Sequence, residues 1–290
     1  MNMPLDGQQV GFVGLGNMGW ANARHLSAAG ARVTVWTRSG RHLSEATALG
    51  MQVGATAREV AEALPDGIVC VNVSDTQAVE DVVFGTEGVA AGFAAAGLVI
   101  DLGTTCVAAT RRFAQRVHWV DAPVSGGQVG AESATLTVMA GGEDADFERA
   151  APFLRAIGKR VTHMGPVGAG QVTKLANQLI VAQTIDAVAQ ALRLAELAGV
   201  DPSKVREALS GGFAASRILE LHGERMIRRN FEPGGRAALQ LKDVRLIVDL
   251  AREVGMQSST LDNSLRQWVR FVEEREGADL DHSGLFRLYE

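Results

Sequence analysis

Short apolar runs alternate with helical patterns through the first half of the chain. Each apolar run has the length of a strand, and the segments between them repeat apolar residues at the spacing of a helix. The predicted strands are Val10–Val13, Arg32–Trp36, Ile68–Val73, Leu98–Asp101, Trp119–Asp121 and Leu136–Ala140. Strands that alternate with helices at this spacing predict a parallel sheet with helices on both faces.

The residue pattern of the second half predicts helices to the end of the chain. A breaker-rich segment, Gly165 to Gly170, precedes a helix that begins near Gln171 and is expected to run about thirty residues, or about 45 Å. Asp201 and Pro202 then form an N-cap and first-turn pair. We therefore predict an α/β Rossmann-type parallel-sheet domain at 1–165, followed by an all-α domain at 166–290, with a long helix joining them.

Composition narrows the class of partner. The 28 basic and 33 acidic residues give a net charge of −5, which disfavours nucleic acid or an anionic membrane as the main partner. Cys70 and Cys106 form no CxxC motif, and none of the six histidines lies at metal-ligand spacing. We expect no disulfide framework and no metal, and a reducing cytoplasm fits this cysteine usage.

Neither of two candidate segments has the pattern of a targeting or membrane-spanning element. Residues 1–9 lack the basic and apolar regions of a signal peptide, and a short disordered lead-in is expected there. Residues 175–198 are the most apolar long stretch, but Asn177, Asp186 and Arg193 make it too polar to span a bilayer. A buried helix is the better interpretation.

A G-x-G-x-x-G motif, Gly14-Leu15-Gly16-Asn17-Met18-Gly19, follows the first predicted strand and opens a helix. In that context Gly14 permits a tight turn, Gly16 lets backbone approach a pyrophosphate, and Gly19 allows close packing of the helix on the strand. The helix N-terminus faces the negative charge. The alternative is a glycine-rich turn without a ligand.

The end of the second strand bears on cofactor choice. NAD enzymes usually place an acid there for the ribose 2′-hydroxyl, whereas this chain has Thr37-Arg38-Ser39-Gly40-Arg41 and no acid before Glu45. Arg38 and Arg41 suit a 2′-phosphate, and Ser39 can donate to it. The prediction is NADP as the preferred cofactor with NAD possible, unless these are ordinary solvated loop residues.

Two further segments carry candidate chemistry. Ser125-Gly126-Gly127, within Asp121 to Gly127, offers backbone N–H groups and a hydroxyl that suit a carboxylate, although the residues alone equally allow an ordinary loop. Lys174, Asn177 and Gln178 share one face of the predicted long helix. Desolvation of Lys174 would lower its pKa toward the range of an acid–base catalyst. The alternative is a lysine that reaches solvent from the helix start.

Together these motifs resemble the β-hydroxyacid dehydrogenase family, relatives of 6-phosphogluconate dehydrogenase. That family shows GLGxMG, DAPVSGG, GxGxxxKxxNN or KxxNQ, and KD in this order, and all four occur here over about 230 of the 290 residues. The segments GAGQVTKLANQLIVA and RNFEPG, with the terminal Asp281-His282-Ser283, resemble most the tartronate semialdehyde reductase branch.

The resemblance implies roles for individual residues. It implies a catalytic Lys174, a substrate carboxylate on Ser125, Gly126 and Gly127, and substrate contacts from Asn177 and Gln178. The cofactor-binding residues that it and the motifs imply are Gly14, Leu15, Gly16, Asn17, Met18, Gly19, Thr37, Arg38, Ser39, Val73, Ser74, Thr104 and Lys242. The expected site lies in the cleft between the two domains, and a homodimer or homotetramer is expected.

The resemblance has departures and leaves alternatives. Gly235 stands where the family often has a Phe that lines the active site, which predicts room for a bulkier substrate. The expected reaction interconverts a small 3-hydroxy acid and its aldehyde. The aldehyde that we expect first is 2-hydroxy-3-oxopropionate. Alternative substrates are 3-hydroxyisobutyrate, L-serine or a succinic semialdehyde-type compound. Alternative protein classes are an imine reductase, which typically lacks the lysine, and a non-catalytic binding module.

Overall fold

The computed structural model describes residues 3–64, 67–93 and 96–290. The chain divides into two compact units, Met1–Lys174 and Leu175–Glu290.

The first unit is built on a single sheet. In the described part of the chain nine strands run in the order β3-β2-β1-β4-β5-β6-β8-β7, and β9 pairs with β8. They are β1 (Gln9–Val13), β2 (Arg32–Trp36), β3 (Gln52–Val53), β4 (Ile68–Val71), β5 (Leu98–Asp101), β6 (His118–Asp121), β7 (Val124–Ser125), β8 (Leu136–Gly141) and β9 (Gly158–Gly165). Neighbours from β3 to β6 are parallel, whereas β8 runs antiparallel to β6 and β7, so the sheet is mixed at one end.

Helices cover both faces of this sheet, as the sequence predicted. They are α1 (Asn17–Ala28), α2 (Leu43–Ala48), α3 (Ala57–Glu62), α4 (Thr76–Phe84), α5 (Val89–Gly92), α6 (Val107–Phe113), α7 (Gly127–Glu132) and α8 (Asp144–Ile157). Successive side chains of a strand point to opposite faces. In β5, Leu98 and Ile100 accordingly join one buried cluster and Val99 joins the other. Each such side chain contributes about 1.5–3 kcal/mol through burial.

The second unit is helical. The 29-residue helix α9 (Ala169–Leu197) starts in the first unit and continues into the second, close to the predicted start and length. It is followed by α10 (Pro202–Leu209), α11 (Arg217–Ile227), α12 (Ala237–Glu253) and α13 (Ser259–Val269), then by a π-helical turn at Arg270–Glu274 and a 3₁₀ helix at His282–Tyr289. Asp201 caps α10 by accepting from the Ser203 N–H at 2.8 Å, as predicted. Among the described residues, no helix is both long and apolar enough to cross a bilayer.

The segment before β1 differs from expectation. Met1 and Asn2, part of the predicted disordered lead-in, lie outside the described residues. Leu5, in contrast, is fully buried, and its N–H donates to the Ala29 carbonyl oxygen at 2.9 Å. The prediction was therefore wrong at Leu5, because this leucine packs into the core and its backbone bonds the end of α1.

Candidate active site

The turn between β1 and α1 has the geometry that a bound dinucleotide needs. Gly14 has φ of +97°, and a Cβ there would lie 2.5 Å from the Asn72 carbonyl oxygen. A Cβ on Gly19 would lie 2.0 Å from the Gly14 carbonyl oxygen, so α1 packs directly on the turn. No described atom lies within 4 Å of the Cβ position of Gly16, which leaves its backbone open on that side. The turn therefore leaves room for a pyrophosphate.

The other residues of this motif differ in exposure. Leu15 is fully buried in the core and Met18 packs against it, so their side chains hold the turn. Asn17 is exposed at the start of α1, where its amide donates to Gln128 at 3.3 Å. Leu15 can therefore contact a ligand through its backbone but not through its side chain.

The loop after β2 presents two exposed cations. Thr37 is buried at the strand end, whereas Arg38, Ser39 and Arg41 are exposed. The nearest acid in the sequence, Glu45, is occupied elsewhere: its carboxylate accepts from Ser44 at 3.0 Å and contacts His42 at 3.3 Å. The loop thus offers guanidinium groups, and no carboxylate directly after the strand, to a ribose substituent.

Further predicted cofactor contacts follow the neighbouring strands. Val73 and Ser74 come shortly after β4, and Thr104 comes after β5. Because β1, β2, β4 and β5 are parallel neighbours, their carboxyl ends meet at one edge of the sheet. Ser74 is exposed and donates to the Asp75 carboxylate at 2.7 Å. This edge is where ligands bind in open α/β sheets.

The Ser125-Gly126-Gly127 segment turns with its backbone exposed. Gly126 has φ of +134° and Gly127 has φ of +61°, conformations that favour glycine. Apart from Gly127 itself, its chain neighbours and the backbone of its own helix, no described atom lies within 4 Å of the position that a Cβ would take on Gly127. The segment can therefore receive a small anion over its backbone.

Lys174 lies next to this segment. Its side chain is 8% exposed, and Nζ donates to the backbone carbonyl oxygen of Val124 at 2.9 Å. Val124 directly precedes Ser125, so the fold brings the predicted proton donor and the predicted carboxylate site together within the first unit. The alternative of a lysine that reaches solvent does not hold, since Lys174 is buried.

Asp121 anchors the start of the helix that carries Lys174. The Asp121 carboxylate is fully buried at the end of β6 and accepts from the N–H of Gly168 at 2.7 Å and of Gln171 at 2.8 Å. Helix and sheet approach closely here, because a Cβ on Gly170 would lie 2.5 Å from the Asp121 carbonyl oxygen. The position of Lys174, one turn further on, thus depends on Asp121.

Gln171 links the same helix to the loop after β5. Its amide accepts from the Thr105 N–H at 3.0 Å and donates to the Gly103 carbonyl oxygen at 2.9 Å. The Asp101 carboxylate fixes that loop by accepting hydrogen bonds from the Gly103 N–H at 2.9 Å and the Thr105 hydroxyl at 2.7 Å. The predictions assigned no role to Asp101, Asp121 or Gln171; the signal was an Asp at the end of each of two apolar strands.

Asp101 and Asp121 form a buried carboxyl pair in which the pKa of Asp121 is raised. Burial raises the pKa of Asp121 to about 7, the neighbouring Asp101 acts in the same direction, and the N–H groups of Gly168 and Gln171 oppose the rise. Asp101 and Asp121 are paired across β5 and β6. The helix start therefore rests on a carboxyl group that titrates near neutral pH.

In the second unit, the predicted residues form a polar cluster. Asn177 donates to Gln178 at 2.9 Å, and Gln178 donates to the Asp243 carboxylate at 2.5 Å. Lys242 Nζ lies 3.1 Å from the other Asp243 oxygen. Asp243 thus holds both Gln178 and Lys242, and the predicted substrate and cofactor contacts of Asn177, Gln178 and Lys242 remain predictions.

The space beside Gly235 is not empty. A Cβ on this glycine would meet the His282 imidazole, with Cε1 at 3.4 Å and Nε2 at 3.5 Å. The His282 ring therefore takes up volume on the side where a side chain would begin, and the room for a bulkier substrate stays a prediction.

Comparison with known proteins places this geometry in a family. The family model for the NAD binding domain of 6-phosphogluconate dehydrogenase matches residues 9–165. A second family model, for NAD-binding of NADP-dependent 3-hydroxyisobutyrate dehydrogenase, matches residues 168–289. The chain belongs to the β-hydroxyacid dehydrogenase family.

Individual members of the β-hydroxyacid dehydrogenase family are similar along nearly the whole chain. A 2-hydroxy-3-oxopropionate reductase of Escherichia coli (strain K12) is 42% identical over 289 residues, 97% of each chain. The crystal structure of a 3-hydroxyisobutyrate dehydrogenase from Salmonella typhimurium matches with a TM-score of 0.86 at 26% identity, covering 97% of this chain and 99% of that one. A Mycobacterium tuberculosis 3-hydroxyisobutyrate dehydrogenase solved with L-serine gives 0.86 at 28% identity, covering 97% and 98%.

Membership of this family confirms three predictions. The fold is a Rossmann-type domain followed by a helical domain. The protein is an NAD(P)-dependent dehydrogenase or reductase that acts on a CH–OH group, which removes the non-catalytic binding module as an alternative. The substrate class is that of the hydroxyacid dehydrogenases.

Proposed function

We propose that this β-hydroxyacid dehydrogenase reduces 2-hydroxy-3-oxopropionate, with Lys174 as the proton donor. The observation that carries the proposal is the buried Lys174 ammonium at 2.9 Å from the Val124 carbonyl oxygen, directly before Ser125-Gly126-Gly127. The 42% identity to the E. coli 2-hydroxy-3-oxopropionate reductase supports this substrate above the others.

The residues present fit a nicotinamide dinucleotide. The open side of Gly16 and the tight turn at Gly14 would receive the pyrophosphate. The exposed Arg38 and Arg41, with the Ser39 hydroxyl, would bind a 2′-phosphate, so NADP is the proposed preference and NAD the second choice. Val73, Ser74 and Thr104 are assigned to the same ligand because they follow strands that end at this edge. The bound reduced cofactor supplies a hydride.

Substrate binding is assigned first to the Ser-Gly-Gly segment. The backbone N–H groups of Gly126 and Gly127 and the Ser125 hydroxyl would hold the carboxylate, and the open space over Gly127 admits one compact anion. Asn177 and Gln178 keep their assigned role in orienting substrate. Binding at fixed positions lowers the entropic part of the barrier.

Lys174 then completes the reaction. As the aldehyde carbon gains a hydride, its oxygen gains a proton from the Lys174 ammonium, and the product is the alcohol. In the oxidative direction the neutral amine would accept the hydroxyl proton. The Val124 carbonyl oxygen and the anchoring of α9 on Asp121 would keep Nζ at the place where that proton moves.

An absorbance assay at the reduced-nicotinamide band tests the assignment. The panel contains 2-hydroxy-3-oxopropionate, methylmalonate semialdehyde and succinic semialdehyde in the reductive direction, and 3-hydroxyisobutyrate and L-serine in the oxidative one. The proposal requires the highest kcat/KM in the reductive direction for 2-hydroxy-3-oxopropionate. A higher kcat/KM for one of the other aldehydes, with no turnover of 2-hydroxy-3-oxopropionate, would overturn the substrate and leave the family intact.

A homodimer or homotetramer and a cytoplasmic location remain predictions. Three large apolar side chains of α9 support self-association, since Ile180, Leu194 and Leu197 are each at least 68% exposed. Light scattering coupled to size exclusion measures the oligomer directly, and a monomer at micromolar concentration would contradict that part.

A further inference from the structure

Two histidines that are far apart in the sequence meet in the second unit. His222 lies on α11 and His282 begins the C-terminal 3₁₀ helix. Their Nε2 atoms are 3.1 Å apart, so one donates a hydrogen bond to the other, and a bound metal ion would replace that proton. The two rings are nearly perpendicular, with an angle of 88°. Asp281 Oδ1 lies 3.7 Å from Nδ1 of His222. Because 60 residues separate the histidines, their spacing in the sequence gave no metal-binding signal.

The carboxylate of this group is held firmly. Asp281 is 1% exposed, and its Oδ2 accepts from the N–H groups of Gly234 at 3.0 Å and Gly235 at 2.9 Å. Oδ1 accepts from the Ser283 N–H at 3.0 Å and hydroxyl at 2.5 Å. These four hydrogen bonds fix the Asp281 carboxylate in place.

The two ring nitrogens of His222 have different surroundings. Nε2 meets Nε2 of His282, and Nδ1 lies on the side of Asp281. Nδ1 of His222 is buried and makes no hydrogen bond in the described residues. An N–H at this Nδ1 faces the Asp281 carboxylate and leaves the lone pair on Nε2. A metal-bound histidine usually donates its other ring N–H to a carboxylate, and a small rotation of the His222 ring would close the 3.7 Å gap to Asp281 into such a hydrogen bond.

We propose that the Nε2 atoms of His222 and His282 bind one Zn²⁺ ion, with Asp281 as the carboxylate that orients His222. A tetrahedral zinc with Zn–N bonds of about 2.0–2.1 Å places two nitrogens about 3.3–3.4 Å apart. The observed 3.1 Å requires only a small separation of the rings. Imidazole nitrogen suits zinc among the common ions, and water would complete the coordination. The ion would fasten α11 to the C-terminal segment.

Arg225 sets a limit on the affinity. Its Nε lies 3.6 Å from Asp281 Oδ1, so a guanidinium charge stands close to the ion's position. With two protein ligands and this repulsion, we expect a dissociation constant in the micromolar range rather than that of a structural four-ligand site.

Calorimetric titration of the full-length, tag-free and EDTA-treated protein with ZnCl₂ tests the proposal. The wild type should bind one zinc per chain, and His222→Gln and His282→Gln should each bind at least about tenfold more weakly. His118→Gln is the matched control, because this imidazole also contacts a carboxylate, that of Asp146 at 2.9 Å, and should leave zinc affinity unchanged.

A second measurement avoids dependence on the variants. X-ray absorption of the zinc-loaded wild type should show two imidazole ligands on the ion. One imidazole or none, or equal zinc affinity in wild type and His282→Gln at similar melting temperatures, would overturn the site. The test reads metal binding alone, so it is independent of the proposed function.

Discussion

The ammonium group of Lys174 and the backbone carbonyl oxygen of Val124 are joined by a hydrogen bond of 2.9 Å. This bond places the start of α9 against the strand that leads into Ser125. A buried ammonium needs such a partner, since an unpaired charge in the interior is costly. The same bond therefore stabilises the fold locally and fixes the group that the proposed reaction uses.

Cofactor preference should depend on Arg38. Arg38→Ala should raise the NADPH KM roughly tenfold to a hundredfold and leave the NADH KM nearly unchanged, because a charge-assisted pair of this kind is worth about 1.5–3 kcal/mol. Arg32→Ala is the matched control, since Arg32 is exposed at the opposite end of β2. Initial rates with both cofactors measure the effect. A wild type that prefers NADH several-fold would contradict this interpretation of the loop.

Asp121 should make stability depend on pH. Its folded pKa of about 7 lies above the ordinary 3.8, so an unfolded chain loses this proton first as pH rises. The contribution of Asp121 to the free energy of unfolding therefore falls as pH rises from about 4 to about 7 and is constant above that. Between pH 5 and pH 8 the fall should reach at most about 2–3 kcal/mol.

Urea unfolding of wild type and Asp121→Asn at pH 5, 6, 7 and 8 measures this contribution. Asparagine has one acceptor oxygen where Asp121 uses two, so the variant also loses a hydrogen bond to Gly168 or Gln171, worth about 1–3 kcal/mol. The difference in unfolding free energy between the proteins should be larger at pH 5 than at pH 8. A difference that does not change with pH would contradict the assigned titration.

Gly235 should tolerate a methyl group but resist a ring. The Cβ of Gly235→Ala would make ordinary contact with His282 at 3.4 Å, whereas the ring of Gly235→Phe would compete with that imidazole for space. Overpacking of this kind costs about 1–3 kcal/mol, which lowers the melting temperature by several degrees. Gly212→Phe, in open surroundings, is the control and should leave the melting temperature nearly unchanged. Equal melting temperatures for Gly235→Phe and wild type would show that the ring finds free space.

The sequence predicted the buried strands with continuous apolar runs and missed strands that are very short or largely exposed. β2 and β5 were predicted at their observed bounds, because buried strands read as continuous apolar runs. β3 and β7 have only two residues each, and most residues of β9 are exposed or half-buried, so none of them carries an apolar run. Sequence patterning also gave no sign that β8 is antiparallel to β6, since strand direction depends on distant pairing.

The same distinction applies to the site. The glycine motif and Lys174 stood out because their residue types and spacing carry a local physical reason. Asp121, which holds the start of α9, did not stand out, because it contacts Gly168 and Gln171 only after β6 and α9 pack together. The contact of His222 with His282 likewise arises only where α11 meets the C-terminal segment.

The kcat of Lys174→Ala shows whether Lys174 transfers the proton. The kcat should fall at least about a hundredfold, and the NADPH dissociation constant should stay nearly unchanged. Lys174→Arg should fail as well, because guanidinium does not release its proton near neutral pH. Lys159→Ala, at an exposed position of the same unit, should keep the wild-type rate. A folded Lys174→Ala that binds NADPH and turns over at a near-normal rate would show that another group transfers the proton.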